Sequence, residues 1–183
     1  MSNLTRQFIF LCWAIFIIYW IVASFGVKRT VEKQAGWRRI QILLIAVAIA
    51  FFMINHDAIL WSYTLTIGII ADIVTLIGLI IILWARTVLG GNWSTAAVLK
   101  ENHELIQSGP YSYVRHPIYS GLMLMVLGVA IFYGHAIGFV ALAISFITSW
   151  LRAREEEKLL TRHFPDEYPN YKARVKAFIP FVF

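Results

Sequence analysis

Gly109-Pro110-Tyr111-Ser112-Tyr113-Val114-Arg115-His116-Pro117-Ile118-Tyr119-Ser120-Gly121 is the one stretch in which turn formers, tyrosines, an arginine and a histidine crowd together. Apolar runs suited to a membrane stand before and after it. Pro117 lacks a backbone donor and disfavours helix at His116, so it marks the first turn of a new helix. Arg115 and His116 then stand at the mouth of that helix, where free amides and the positive end of the dipole attract anions.

Working outward, the whole chain shares the apolar character of the flanks. Of 183 residues, 60% are hydrophobic and 14% charged, and the mean hydropathy is +0.71. Ordinary soluble domains are about half apolar and about a quarter charged, so a large soluble helical bundle is disfavoured. Seven tryptophans and eight tyrosines suit the bilayer interface. A lone cysteine, Cys12, leaves no intrachain disulfide and no cysteine-based zinc site, and no metal is expected. The net charge of +6 does not point to nucleic acid, because the basic residues lie in the connections between apolar runs, as the positive-inside rule requires.

The expected fold is an all-α integral membrane protein of about five transmembrane helices forming one membrane domain, with a cytosolic C-terminal cofactor pocket. The spans are residues 8–27, 40–58, 63–84, 118–133 and 136–151, with cytosolic segments at 86–117 and 152–183. The first run is long enough to cross a ~30 Å hydrocarbon core. The basic cluster Lys28, Arg29, Lys33, Arg38, Arg39 after it acts as a stop, so this run is a retained helix and not a cleaved signal. The connection after Asn55-His56-Asp57 carries no lysine or arginine, as an external loop should. Five spans put the N-terminus outside and the C-terminus in the cytosol. Of the sixteen lysines and arginines only Arg6 then falls outside, which is the main check on this topology. Gly134-His135 permits only a tight helical hairpin, and Gly121, Gly128 and Gly138 suit close helix approach. The last helix continues past the membrane to Phe164, and the basic, aromatic tail folds back, with Phe178-Ile179-Pro180-Phe181 as an anchor. Asp72 lies inside the third span; it is read as facing a neighbouring helix, hydrogen-bonded or protonated, in preference to a functional role.

The dense polar clusters all fall on one side: His103 to Ile106, Tyr111 to Tyr119, and Arg152 with Glu155, Glu156 and Glu157. Arg152 and Glu156 are four apart and share a helix face. Alone, that pair is a plain surface ion pair, and a lone His-Pro is a turn.

Their conjunction says more. Gly109-Pro110-Tyr111, Arg115-His116-Pro117-Ile118-Tyr119-Ser120-Gly121 and Arg152-Ala153-Arg154-Glu155-Glu156-Glu157 resemble the isoprenylcysteine carboxyl methyltransferase family of integral membrane enzymes and its phospholipid methyltransferase relatives. His103-Glu104-Leu105-Ile106 and Phe164-Pro165-Asp166-Glu167-Tyr168 with Tyr171 continue the match. The resemblance covers roughly residues 84–183; the first three helices match only as hydrophobic spans. It implies that S-adenosylmethionine binds on the cytosolic side and leaves as S-adenosylhomocysteine. It places His103, Glu104, Leu105, Ile106, Tyr111, His116, Pro117, Ile118, Tyr119 and Glu156 against that cofactor, and Arg152 against the methyl acceptor. The chemistry agrees: a carboxylate suits a helix mouth with Arg115 or His116, adenine and ribose suit Tyr111 and Tyr119, and a cationic amine or sulfonium suits Glu156. No Gly-rich loop following a strand is present, and no convincing strand either.

The implied reaction is methyl transfer to a lipophilic or lipidated acceptor reached from the bilayer. An isoprenylcysteine-type carboxylate needs no general base and suits a bidentate Arg152. A phospholipid amine would need a proton removed. Membrane sterol reductases, which bind NADPH, look similar in this region but are usually longer. A non-catalytic membrane protein or transporter would be expected to place more polar groups at mid-bilayer. The acceptor and the oligomeric state are not read from these residues.

Overall fold

A computed structural model describes residues 2–25, 30–33, 58–93, 98–100 and 104–182. Its elements follow from where apolar runs meet turn formers. Helix α1, Ser2–Ser24, is charged only at Arg6. Helix α2, Leu65–Leu89, opens on Thr64, whose side chain accepts from the Ile67 amide at 3.2 Å, and closes at Gly90 with φ +53°. A 3-10 turn at Gly109–Ser112 leads to helix α3, Pro117–Tyr133, with His116 as its N-cap. Gly134 closes α3 in the left-handed region at φ +63°, and helix α4, Ala136–His163, starts after His135. Helix α5, Glu167–Arg174, is the last helix among the described residues.

Among the described residues, Asn3–Ser24, Leu65–Asn92 and Ala136–His163 are long and apolar enough to cross a membrane, and Pro117–Tyr133 is a shorter apolar helix. A crossing needs about 20 residues. The 28 residues of α4 exceed that, and its polar part, from Arg152 to His163, extends beyond the apolar zone. The expected span at 40–58 lies outside the described residues apart from Ala58.

Two differences from the sequence reading have simple causes. Helix α2 runs on through Arg86 to Leu89 instead of stopping at Trp84, because the buried Arg86 finds partners at once. Its guanidinium donates to the Ala23 carbonyl at 2.5 Å and the Gly90 carbonyl at 2.6 Å, and stacks over Trp93. The second is a pair of short strands where none was expected: β1, Thr30–Lys33, runs antiparallel to β2, Val98–Lys100, with an irregularity between Thr30 and Glu32. Three or four residues are too few for apolar alternation to show. Among the described residues the regular structure is otherwise helical.

Helix α2 is the axis of the bundle, with α1 and α3 against it and α4 against α3. Between α2 and α3 the backbones nearly touch. A Cβ added at Gly121 would lie 2.7 Å from the Gly78 carbonyl and 2.6 Å from Ile82, and one at Gly78 would lie 2.6 Å from the Gly121 carbonyl. A Cβ at Gly128 would run into Thr75 Oγ1, and one at Gly138 would lie 2.8 Å from Ala130 on the α3–α4 side. Without water to drive association between spans, close van der Waals fit is the main attraction available, and small residues permit it. Thr75 satisfies its own hydroxyl on the Ala71 carbonyl at 2.8 Å. Buried Cys12, Leu79, Ile82 and Met125 form the apolar core beside this seam.

Segment 58–61 fastens the hairpin from outside. The Leu60 amide donates to the Gly134 carbonyl at 2.7 Å, the Ala136 amide to the Ala58 carbonyl at 3.0 Å, and Trp61 Nε1 to the Ile131 carbonyl at 3.0 Å. With the hairpin fixed there, the start of α3 and the polar part of α4 lie side by side at the opposite end.

Candidate functional site

At that polar end the motif residues are held by two adjacent carboxylates of α4. Glu157 Oε1 accepts from Arg115 Nε at 3.0 Å and Nη2 at 2.6 Å, and lies 3.2 Å from His116 Nε2. Its other oxygen pairs with Lys172 Nζ at 2.7 Å. Glu156, one residue earlier and so about 100° around the helix, turns to the other side of His116. There its Oε1 accepts from the Tyr119 hydroxyl at 2.5 Å, and its Oε2 is 3.6 Å from His116 Nδ1. The His116 ring stacks on Tyr119, with centroids 5.6 Å apart and planes within 19°.

This geometry sets the charges. Burial alone would depress His116, but contacts with Glu156 and Glu157 outweigh it and raise the imidazole above its ordinary value. Burial would raise Glu157, yet hydrogen bonds from His116, Lys172 and Arg115 hold it well below the usual carboxylate range. The result is a buried imidazole flanked by two carboxylates that favour its protonated form. Burial also pushes the Tyr111 hydroxyl far up, so it stays a neutral donor, directed at the Ala85 carbonyl at 3.4 Å.

The tail closes this cluster from behind. The Arg115 amide donates to the Lys176 carbonyl at 2.8 Å and the His116 amide to the Ala177 carbonyl at 2.9 Å. Arg115 Nη1 donates to the Val175 carbonyl, Ser120 Oγ to the Phe178 carbonyl at 2.7 Å, and the Tyr171 hydroxyl to the Tyr111 carbonyl at 2.6 Å. The amides of Arg115 and His116 therefore serve the returning tail and are not open to an anion, which changes the helix-mouth reading. Arg115 borders the cavity described next, but its guanidinium is engaged by Glu157 and backbone carbonyls.

One cavity of about 330 Å³ gathers the sequence candidates: Glu104, Leu105, Ile106, Tyr111, Arg115, His116, Pro117, Ile118, Tyr119, Arg152 and Glu156 all line it. His103 lies outside the described residues. The Arg152 guanidinium lies 5.8 Å from the Tyr119 ring centre. Asp72 is not part of this lining; one of its carboxylate oxygens is buried in the bundle without a hydrogen-bond partner. Sequence reasoning missed the wall that α1 contributes, Phe16 and Trp20, and Trp93 after α2, which meets Trp20 edge-on at 5.0 Å. It also missed Leu122 and Tyr168. Only the crowding of aromatics in α1 hinted at that wall, since nothing local says which face of α1 meets α2. The cavity thus has a polar end, with both signs of charge, and an apolar end at Phe16, Trp20, Ile82 and Leu122.

Apolar helices around a polar cleft at one end define a multi-pass membrane protein with a cavity of small-molecule size at the bundle's edge. A family model described as phospholipid methyltransferase matches residues 66–167, more than half of the chain, and the chain belongs to that family. Protein-S-isoprenylcysteine O-methyltransferase of Schizosaccharomyces pombe is 32% identical over 99 residues, 51% of this chain and 41% of that protein. Cobalt-zinc-cadmium resistance protein CzcN of Cupriavidus metallidurans is 26% identical over 164 residues, 85% of this chain and 69% of that protein. The solved structure of the eukaryotic intramembrane Ras methyltransferase ICMT shares the fold, with a TM-score of 0.56 at 21% identity over 81% of this chain and 55% of that one. The chain spans less than half the length of the S. pombe methyltransferase. The family resemblance read from the motifs is borne out. Among the described residues no group of three or more His, Cys, Asp or Glu could hold a metal ion.

Proposed function

We propose that the protein is a membrane methyltransferase that uses S-adenosylmethionine to methylate the carboxylate of a lipophilic, isoprenylcysteine-type acceptor. The observation that carries this reading is the single cavity shared by Arg152 and Glu156 of α4 with His116 and Tyr119 of α3. The residues present fit the cofactor. The cavity's volume of about 330 Å³ falls in the range of small-molecule sites. Its wall offers a carboxylate for a cationic group, aromatic faces for a purine, and polar groups for a ribose. The Tyr168 hydroxyl in that wall, beside Arg115, makes no hydrogen bond of ordinary geometry within the protein.

When bound, the cofactor supplies an electrophilic methyl group on a sulfonium. The protein's part is alignment and desolvation. Glu156, fixed by Tyr119, presents negative charge to the cationic part of the cofactor. Arg152, one helical turn before Glu156, is placed to hold the acceptor carboxylate by two parallel N–H donors. Phe16, Trp20, Ile82 and Leu122 exclude water from the apolar end, where a lipid chain enters from the bilayer. A carboxylate acceptor needs no base, and none is assigned. The polar end faces the cytosol in a five-span topology with the N-terminus outside. The charge distribution and the projection of α4 beyond its apolar part support that orientation.

The test is transfer of labelled methyl from S-adenosylmethionine by the purified protein in nanodiscs. The acceptors to offer are a farnesylated cysteine and phosphatidylethanolamine. The farnesylated cysteine should be methylated, and Arg152→Ala should lower that rate about 100-fold. Methylation of phosphatidylethanolamine alone would move the acceptor to an amine. Binding of NADPH without S-adenosylmethionine would overturn the cofactor assignment.

A further inference from the structure

Beyond α5 the tail makes a turn that no contact among the described residues explains. After pairing with the start of α3, it buries Phe178 against His116, Tyr119 and Phe146, at ring separations of 5.7, 6.5 and 6.1 Å. It then turns at Ile179–Val182, closed by the Val182 amide donating to the Ile179 carbonyl at 3.2 Å. Pro180 takes the second position and Phe181 the third, with φ +65°. A turn with positive φ at its third position favours glycine or asparagine there. A bulky residue in the left-handed region is costly and persists where something repays the cost. Among the described residues nothing does, since Phe181 is 90% exposed, and its neighbours Val182 and Ile179 are 73% and 52% exposed.

The surroundings say what meets this turn. Phe146, on which Phe178 packs, lies in the apolar part of α4, five residues before Leu151. At 1.5 Å per residue this places Phe146 roughly 9 Å deeper than Arg152, where α4 becomes polar. The turn therefore sits near the level where acyl chains give way to headgroups. Exposed Arg174 and Lys176 flank it on the preceding chain, while the neighbouring Lys172 is paired with Glu157. Apolar tips with adjacent lysines and arginines are the pattern of an interfacial segment on an anionic leaflet.

We infer that the Ile179–Val182 turn is a wedge that docks the tail into an anionic bilayer surface, and that this docking braces the ligand pocket. The bracing follows from the backbone. The carbonyls that hold the Arg115 and His116 amides belong to Lys176 and Ala177, directly before the wedge. The inference rests on the membrane placement proposed above but not on the reaction.

The test uses the full chain, one copy per nanodisc, in phosphatidylcholine with or without phosphatidylglycerol. In a Cys12→Ser background a nitroxide is attached at Phe181→Cys or, as an aqueous reference, at Glu167→Cys. The label at 181 should collide several-fold more with oxygen than with a water-soluble nickel chelate, more so with phosphatidylglycerol, and the label at 167 should do the reverse. A label at 181 as open to nickel as that at 167 would overturn the wedge, and burial only in discs holding two copies would assign the turn to self-association instead. Phe181→Gly supplies the complementary arm, because it relieves the left-handed strain. Its melting temperature in detergent should equal or exceed the parent's, while in discs the amides of Arg115 and His116 should exchange several-fold faster. A lower melting temperature, or unchanged exchange in discs, would refute the bracing. None of these readouts involves methyl transfer, so a different reaction at the pocket would leave them intact.

Discussion

The middle and the start of α3 are held to the bundle by opposite means. Along its middle, Gly121 and Gly128 bring it against α2 with almost no side chain between. At its start, Arg115 and His116 are held by charge, through Glu156, Glu157 and the tail. The difference follows from the surroundings. Within a bilayer, unpaired charge is very costly and shape is the cheap source of specificity. At the edge of the bilayer, water is close enough to solvate the rim, while burial still strengthens each ion pair. A steric seam fixes where α3 lies, and an ionic clamp fixes what its first turn presents to the cavity.

The largest effect is expected from emptying the clamp. The side chains of Glu157 and Arg115 are only 10% and 9% exposed, and Glu157→Ala leaves Arg115 and His116 buried beside no carboxylate on that side. Loss of one partner of a buried pair costs about 3–5 kcal/mol, read as thermal unfolding in detergent. The clamp also has a pH signature. Glu157, depressed, contributes stability that is present above its unfolded value of about 4.3 and is lost as pH falls through its lower folded value. His116, raised, contributes stability that is complete below about 6.5 and is lost as pH rises through its higher folded value. The melting temperature should therefore be highest between those unfolded values, and His116→Gln should flatten the alkaline limb and weaken the acid one, because His116 is also among the groups that hold Glu157 down. A flat profile in the parent would deny that the clamp is ionic.

The seam should respond more moderately and without pH dependence. Gly121→Val forces side-chain atoms against the Gly78 carbonyl and Ile82, and overpacking of this kind costs roughly 1–3 kcal/mol. If its destabilisation varied with pH as the clamp's does, the two regions would not be separable. The smallest effect belongs to the far end of α2. Thr64→Ala removes one capping acceptor from the Ile67 amide, worth about 1 kcal/mol, and should shift the melting temperature only slightly.

Much of this organisation is legible in the sequence where one residue carries a local rule. Pro117 starts α3 and Gly134 turns the hairpin because proline and glycine act on their own backbone. The convergence of Tyr111, His116, Tyr119, Arg152 and Glu156 on one cavity was reachable through the motifs taken together. What was not legible depends on helix phase and on distant partners. Three consecutive glutamates do not reveal that Glu157 faces inward to the clamp while Glu155 faces Lys158 on the surface. Nor does Arg86 announce that its partners are a carbonyl at the end of α1 and another one turn ahead. The Phe16 and Trp20 wall depends on which face of α1 meets α2, a choice made between helices and not within one.

The returning tail also has a bearing on the order in which the molecule is made. Arg115 and His116 are synthesised some sixty residues before the Lys176 and Ala177 carbonyls that hold their amides. Contacts so far apart along the chain form late, after closer ones have closed the intervening loops. Helices α2 and α3 can seat their glycine seam while the returning tail is still on the ribosome, but the polar cavity is closed from behind only once residues 171–178 emerge. A nascent chain thus acquires its helical scaffold before that closure.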